Sequence, residues 1–156
     1  MSVILPGSYD PVTLGHLDII KRAAEENDEV YAVIFVNPDK EYTFSLGDRV
    51  RMLILATDEL DNVMVSFSNG LVIDYMREHG IERIVKGYRN DIDLEYERRQ
   101  AEYNLKFGGY ETELKKCRDG FECISSTEVR RRINEGGSLD GLLPESVIKY
   151  IKDLHA

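Results

Sequence analysis

The run Val30-Tyr31-Ala32-Val33-Ile34-Phe35-Val36 restricts the folds open to this chain more than any other stretch. It is apolar almost without interruption, with acidic residues before it and Asn37-Pro38 after it. A strand with one wet face alternates polar and apolar residues, so a strand without alternation is buried on both faces. Such a strand needs cover above and below, which parallel sheets obtain from the helices that connect their strands. The rest of the chain supplies strands and helices in turn. Val3-Ile4-Leu5 is a shorter apolar run that breaks at Pro6-Gly7, with a second breaker at Pro11. Leu14, Leu17, Ile20 and Ala24 then recur at helical spacing, with Asp18, Lys21, Arg22 and Glu25 between them. Ser45-Leu46-Gly47-Asp48 resembles a capping box with Asp in place of Glu. It opens a helix to about Glu59, with Val50, Leu53, Ile54 and Thr57 inward. Asn62 to Phe67 reads as a third strand, and the helix after Asn69 stops at Gly80. Ile81 to Val85 is a fourth strand, followed by a helix from about Asp91 to Phe107 that Gly108-Gly109 ends. Glu111 to Lys116 is a fifth strand, polar enough for a sheet edge, and a last helix starts near Pro144.

The alternation predicts an α/β domain spanning residues 1–156, a Rossmann-like, doubly wound sheet of five mainly parallel strands. No apolar run approaches the ~20 residues of a membrane helix. The N-terminus lacks a basic region followed by a long apolar core, so neither a membrane nor a signal peptide is expected. Cys117 and Cys123 match no zinc spacing, and a reduced, cytoplasmic protein is the simplest expectation. The net charge of −9 opposes nucleic-acid binding. An acidic chain can still hold phosphates where its few cations converge in one cleft.

Four stretches fit such a cleft, because each falls where a strand gives way to a loop or helix. Thr13 is a good N-cap, which places Leu14-Gly15-His16 in a first helical turn. Its unpaired N–H groups and the positive end of the helix dipole can bind phosphate. Lys40 follows the long buried strand, at the sheet edge where α/β proteins bind ligands. Lys86-Gly87-Tyr88-Arg89 sets two cations around a glycine at the next strand end. Ser125 to Glu128 fits a capping box, and with it a further anion site at a helix start. Each has a plainer reading. Turns with Gly and Pro precede helices in many proteins that bind nothing there. A lone first-turn His is ordinarily a cap or surface residue, and a loop Lys is ordinarily solvated.

The full pattern Gly7-Ser8-Tyr9-Asp10-Pro11-Val12-Thr13-Leu14-Gly15-His16 resembles the signature of nucleotidyltransferases with a (His or Thr)-x-Gly-His motif. In its Gly-Ser-Tyr-Asp-Pro form it is similar to the phosphopantetheine adenylyltransferases of coenzyme A biosynthesis. Lys86 to Arg89 followed by Asn90-Asp91-Ile92-Asp93-Leu94-Glu95-Tyr96-Glu97 resembles that family's second block, and Ile124-Ser125-Ser126-Thr127 its third.

The resemblance implies transfer of AMP from ATP to 4′-phosphopantetheine, giving dephospho-CoA and pyrophosphate. It implies catalytic roles for His16, Lys40 and Arg89. ATP would be bound by Ser8, Tyr9, His16, Gly87, Tyr88, Arg89 and Glu97, and by Phe121, Glu122, Cys123, Ile124, Ser125, Ser126 and Thr127. The acceptor would be bound by Ser8, Lys40, Val72, Lys86 and Asn104. Mg2+ would screen the triphosphate, held largely by phosphate oxygens and water, with no metal site built from the protein. CoA would act as an inhibitor, and the assembly would be a homohexamer.

Two departures stand out. Lys86 occupies a place where the family usually has Arg. The run Arg130-Arg131-Arg132, where the family more often carries an acid, reads as a solvated or subunit-facing helix side. The alternatives are a related nucleotidyltransferase with another phosphorylated acceptor, such as a glycerol phosphate or a nicotinamide nucleotide, and a nucleotide-binding regulator without chemistry. Lys40, Gly70-Leu71-Val72 and Glu95-Tyr96-Glu97 argue against the first. His16, Lys40 and Arg89 together argue against the second.

Overall fold

In the computed structural model, which describes residues 1–155, strands and helices alternate along most of the chain. The order is β1 (Ser2–Gly7), α1 (Leu14–Glu26), β2 (Glu29–Phe35), α2 (Leu46–Thr57), β3 (Val63–Ser68) and α3 (Val72–His79). It continues with β4 (Arg83–Tyr88), α4 (Asp91–Gly108), β5 (Thr112–Lys116), α5 (Ser126–Glu135) and α6 (Glu145–Leu154). The sheet runs β3-β2-β1-β4-β5, and its pairings are parallel throughout. It is covered on both faces, as the unbroken apolar run of β2 demands. Val3, Leu5, Ala32, Ile34 and Val85 join the larger core cluster, with residues of α1, α2, α5 and α6. Their neighbours Ile4, Val33 and Ile84 face the other way and pack with Tyr75, Met76 and Ile81. The period of two along each strand feeds two separate cores. β5 lies at an edge, as its polar sequence predicts.

From β1 the chain winds outward to β3, then returns to place β4 on the other side of β1. The carboxyl ends of β1 and β4 therefore flank the point where the winding reverses, the usual ligand crevice of such sheets. Here β1 differs from expectation. It does not break at Pro6-Gly7 but continues through them, with Pro6 opposite Val33 and Gly7 opposite Ile34 on β2. The break is on the other side, where β1 pairs with β4 only at Val3–Arg83 and Ile4–Ile84. Pro6 has no N–H to donate, and its carbonyl accepts from Lys86 Nζ at 3.1 Å instead of a strand. The sheet splits there. β4 is also longer than expected, because β5 pairs it as far as Tyr88–Lys116. Lys86-Gly87-Tyr88 thus belongs to a strand. A Cβ on Gly87 would lie 2.8 Å from Ile19 Cγ1, so glycine is what lets α1 pack on β4.

α2 presents a face that spacing alone misassigns. The buried residues of α2 are Arg49, Met52, Leu53 and Thr57, and Ile54 is exposed. The helix is turned so that the Arg49 side chain points in, where its guanidinium bonds Phe44 O and Ser8 O. None of the residues of α4 is buried, and Ile92, Tyr96, Tyr103, Leu105 and Phe107 are exposed. Among the described residues no helix is long and apolar enough to cross a membrane.

Candidate active site

The loop from Ser8 to Thr13 is held by its own side chains. Tyr9 takes a positive φ of 46°, and its ring folds back so that its hydroxyl donates to Leu5 O at 2.8 Å. The ring is buried and packs beside the His16 imidazole, with centroids 5.0 Å apart. Tyr9, expected against ATP, can therefore offer a ligand mainly its backbone. Asp10 is buried, and its carboxylate accepts from the Thr43 and Phe44 amides, both at 2.9 Å. That contact ties the first loop to the segment following Lys40.

Thr13 caps α1 as expected, and the cap decides the state of His16. Thr13 Oγ1 accepts from His16 N, while His16 Nδ1 accepts from Thr13 N–H at 3.0 Å. A nitrogen that accepts a backbone N–H carries no proton, so the neutral ring keeps its proton on Nε2. Burial pushes the imidazole down to about 4, with help from the Lys86 and Arg89 charges. His16 is thus a neutral hydrogen-bond donor at ordinary pH.

A cavity of about 370 Å³ opens beside this loop at the split between β1 and β4. Ser8, Tyr9 and His16 line it from the β1 side, Lys86, Gly87 and Tyr88 from β4, Arg89 from just beyond its end, and Lys40 from the loop after β2. Glu97 faces it from α4. Phe121 and Ile124, then Ser125, Ser126 and Thr127 at the start of α5, complete it. Glu122 and Cys123, expected with them, do not line it: the Glu122 carboxylate turns back to Gly120 N–H at 2.9 Å, and Cys123 is exposed. The three hydroxyls already have internal partners. Ser125 Oγ caps α5 by accepting from Glu128 N, Ser126 Oγ donates to Pro11 O, and Thr127 Oγ1 accepts from Arg130.

A second chamber of about 310 Å³ adjoins the first and shares Pro6, Gly7, Ser8, Lys86 and Glu97 with it. Val72 and Asn104 line this chamber, among apolar and aromatic side chains that include Phe35, Leu71 and Tyr103. Lys86 stands between the two, 3.7 Å from Glu97 Oε1. Burial pushes the Glu97 carboxyl above its ordinary value, and Lys86 works against that shift. The cleft as a whole pairs a polar, cationic half with a smaller, more apolar one.

Three residues of the first chamber, Asp10, Asp93 and Arg130, make contacts there that the sequence pattern does not show. Asp93 holds Arg89, accepting from Nε at 3.0 Å and from the Arg89 backbone N–H at 3.1 Å. Asp10 carries the loop contacts described above. Arg130 is half-buried and turned to the cavity: it donates to Asp10 O at 2.9 Å and to Thr127 Oγ1 at 3.1 Å. Arg131 and Arg132 do lie at the surface, paired with Glu128 and, for Arg131, Glu135. The signal for Arg130 is its spacing, three and four residues beyond Thr127 and Ser126, which puts it on their face of the helix. Lys40, Lys86, Arg89 and Arg130 thus converge on one cavity between two helix N-termini, in a chain of net charge −9. The arrangement suits a polyphosphate.

Comparison with known proteins identifies the family. The family model described as cytidylyltransferase-like matches residues 4–132. The phosphopantetheine adenylyltransferase of Clostridium novyi (strain NT) is 41% identical over 149 residues, covering 95% of this chain and 92% of that protein. The phosphopantetheine adenylyltransferase of Corynebacterium glutamicum (strain R) is 38% identical over 157 residues, covering 100% of this chain and 98% of that protein. Similarity at this level over nearly the full length of both proteins, in a chain whose cationic cleft lies at the sheet's reversal point, means that the chain belongs to the phosphopantetheine adenylyltransferase family.

Proposed function

We propose that the two chambers hold ATP and 4′-phosphopantetheine, and that the protein transfers AMP from the first to the second. An oxygen of the acceptor phosphate attacks the α-phosphorus of ATP. The bond from that phosphorus to the bridging oxygen breaks, and pyrophosphate leaves with the bonding electrons as dephospho-CoA forms. No covalent step falls to the protein, so its work is positioning and charge stabilisation. His16 donates Nε2–H to the α-phosphate, where negative charge grows. Arg89, braced by Asp93, and the start of α5 hold the ATP phosphates. Lys40 and Lys86 hold the acceptor phosphate at the junction of the chambers, and Val72 and Asn104 receive the pantetheine arm. The observation that carries this reading is the junction itself: a cationic chamber for a triphosphate opens into an apolar one for an uncharged arm, with Lys86 and Ser8 common to both.

Mg2+, when bound with the nucleotide, supplies further screening of the phosphate charge. Among the described residues no group of three or more His, Cys, Asp or Glu side chains could hold a metal ion. The acids of the cavity are already engaged, Asp93 with Arg89, Glu97 with Lys86 and Asp10 with backbone amides. These residues fit a metal that arrives on the phosphates better than one seated in the protein. The free thiols of Cys117 and Cys123 fit a reducing, cytoplasmic setting.

The decisive experiment is pyrophosphate release with ATP, Mg2+ and a panel of phosphorylated acceptors. Release with glycerol phosphate or nicotinamide nucleotide but not phosphopantetheine would assign another acceptor, and release with none would leave a binding protein. Lys40→Met tests the acceptor site directly. The expected loss in kcat/KM for phosphopantetheine is ~10–100-fold, the worth of one charge-assisted hydrogen bond in a sheltered site. ATP affinity by calorimetry stays the same. A parallel loss of ATP affinity would move Lys40 to the other substrate.

A second copy of the chain is the cover we infer for α4. An 18-residue helix with no buried residue and five exposed large apolar side chains is out of place on a monomer. A homohexamer accounts for it, and sedimentation velocity at micromolar concentration is expected to give a mass well above that of one 17.9 kDa chain. A monomer under those conditions would end this reading. Inhibition by CoA follows from the same chambers, since CoA carries the product's pantetheine arm and nucleotide.

A further inference from the structure

The four cations of the first chamber are not held alike. Lys86 lies 3.7 Å from the Glu97 carboxylate, Arg89 3.0 Å from Asp93, and Arg130 4.0 Å from Asp10. Among the described residues Lys40 has no carboxylate within that range. Its ammonium stands over the ring of Tyr42 instead, 5.5 Å from the centroid. The ring is itself fixed. Its hydroxyl accepts from Asn37 N–H at 2.9 Å, and the Arg49 guanidinium lies 3.9 Å from its centroid. Arg49 is 2% exposed and reaches Ser8 O at 3.1 Å, so the ring is anchored to the first loop of the chamber. Between Asn37 and Tyr42 the chain makes a closed turn, with Lys40 N–H donating to Asn37 O and Asp39 N–H to Asn37 Oδ1.

We propose that Tyr42 is the positioning residue of the acceptor site: its ring places the Lys40 ammonium at the cavity mouth without neutralising it. A lysine at the surface has a long flexible stem and a strongly hydrated head. A carboxylate would hold it in place but would have to be displaced by the incoming phosphate. An aromatic face attracts the ammonium through its quadrupole and leaves the net charge intact. The ring also staples both ends of the Asn37–Tyr42 turn, so the lysine backbone and head are set by one side chain. The inference rests on the reading of Lys40 as the ligand of the acceptor phosphate.

The test is a double-mutant cycle between Tyr42 and Lys40 with steady-state kinetics for both substrates. Tyr42→Leu is expected to raise the KM for phosphopantetheine about 3–10-fold, with kcat within twofold and ATP affinity unchanged. In the Lys40→Met background the same substitution is expected to do nothing further, because the group it positions is gone. Tyr42→Phe, which keeps the ring and the cover over Arg49, is expected to raise that KM by a smaller factor and to show the same dependence on Lys40. Tyr42→Phe serves if the leucine variant does not fold. An unchanged acceptor KM in the variants, or equal effects in both backgrounds, would overturn the assignment of Tyr42 while leaving Lys40 where it is. A silent Lys40→Met would overturn the acceptor reading, and the role of Tyr42 with it.

Discussion

His16→Ala is expected to lower kcat by ~10²–10³-fold while ATP affinity changes far less, the size found when one donor to a developing oxyanion is removed. The physical basis is the capping box of α1. Nδ1 is committed to Thr13 N–H, which leaves Nε2–H free for the cavity. The substitution also removes half of that box. His16→Gln separates the two effects, because glutamine at this position of a capping box can accept the Thr13 amide. It should recover stability and not rate. A folded His16→Ala protein with native kcat would take His16 out of the mechanism.

The same residue sets a pH dependence. His16 is pushed down to about 4 in the folded protein, against ~6.5 when unfolded. Above pH 6.5 both states are neutral and the folded state carries no penalty from this group. As pH falls from 6.5 towards 4, the unfolded chain takes up a proton that the folded one refuses, and stability declines. In the unliganded enzyme the imidazole resonances of His16 should stay those of the neutral ring down to pH 5.5.

The elements that could be read from the sequence are those set by local pattern. The unbroken run of β2 and the helical spacing of Leu14, Leu17, Ile20 and Ala24 give the same elements in either frame, because burial and periodicity are properties of neighbouring residues. The misreadings lie where a distant partner decides. Pro6 and Gly7 look like a break, yet β2 carries them on as strand and only the β4 side opens. Lys86 to Tyr88 looks like a loop until β5, some 28 residues later, pairs with it. Ile54 is apolar and correctly spaced, but Arg49 takes the inward position because Ser8 O and Phe44 O are there to meet it. Within the site, motif residues were legible because their spacing to a strand end is local. The residues that hold them, Asp10, Asp93 and Arg130, act through contacts that only the folded chain creates.

Asp10 is the clearest of these. Replacing it with alanine is expected to cost about 2–4 kcal/mol of stability, a large share of what a domain of this size possesses. The carboxylate is 4% exposed and accepts from two backbone amides at 2.9 Å, Thr43 N–H and Phe44 N–H. Alanine leaves both donors without this partner, and the buried one, Phe44 N–H, then costs roughly 1–3 kcal/mol. It also removes the negative charge 4.0 Å from Arg130. Asp10→Asn keeps the shape and one acceptor but turns an NH2 toward a backbone donor, so it recovers only part of the loss. Urea unfolding with an unchanged m-value gives the difference, and the melting temperature should fall by ~10 °C. The loss reaches function because the Thr43 and Phe44 amides lie just beyond Lys40 and Tyr42. With the loop untethered, the acceptor KM should rise at temperatures well below the new melting point, while His16, seated in α1 by its own cap, should keep its neutral state. A loss under about 1 kcal/mol, the range of an ordinary surface substitution, would mean that the loop is held by the Arg49 contacts alone and that Asp10 is not the link between the two substrate loops.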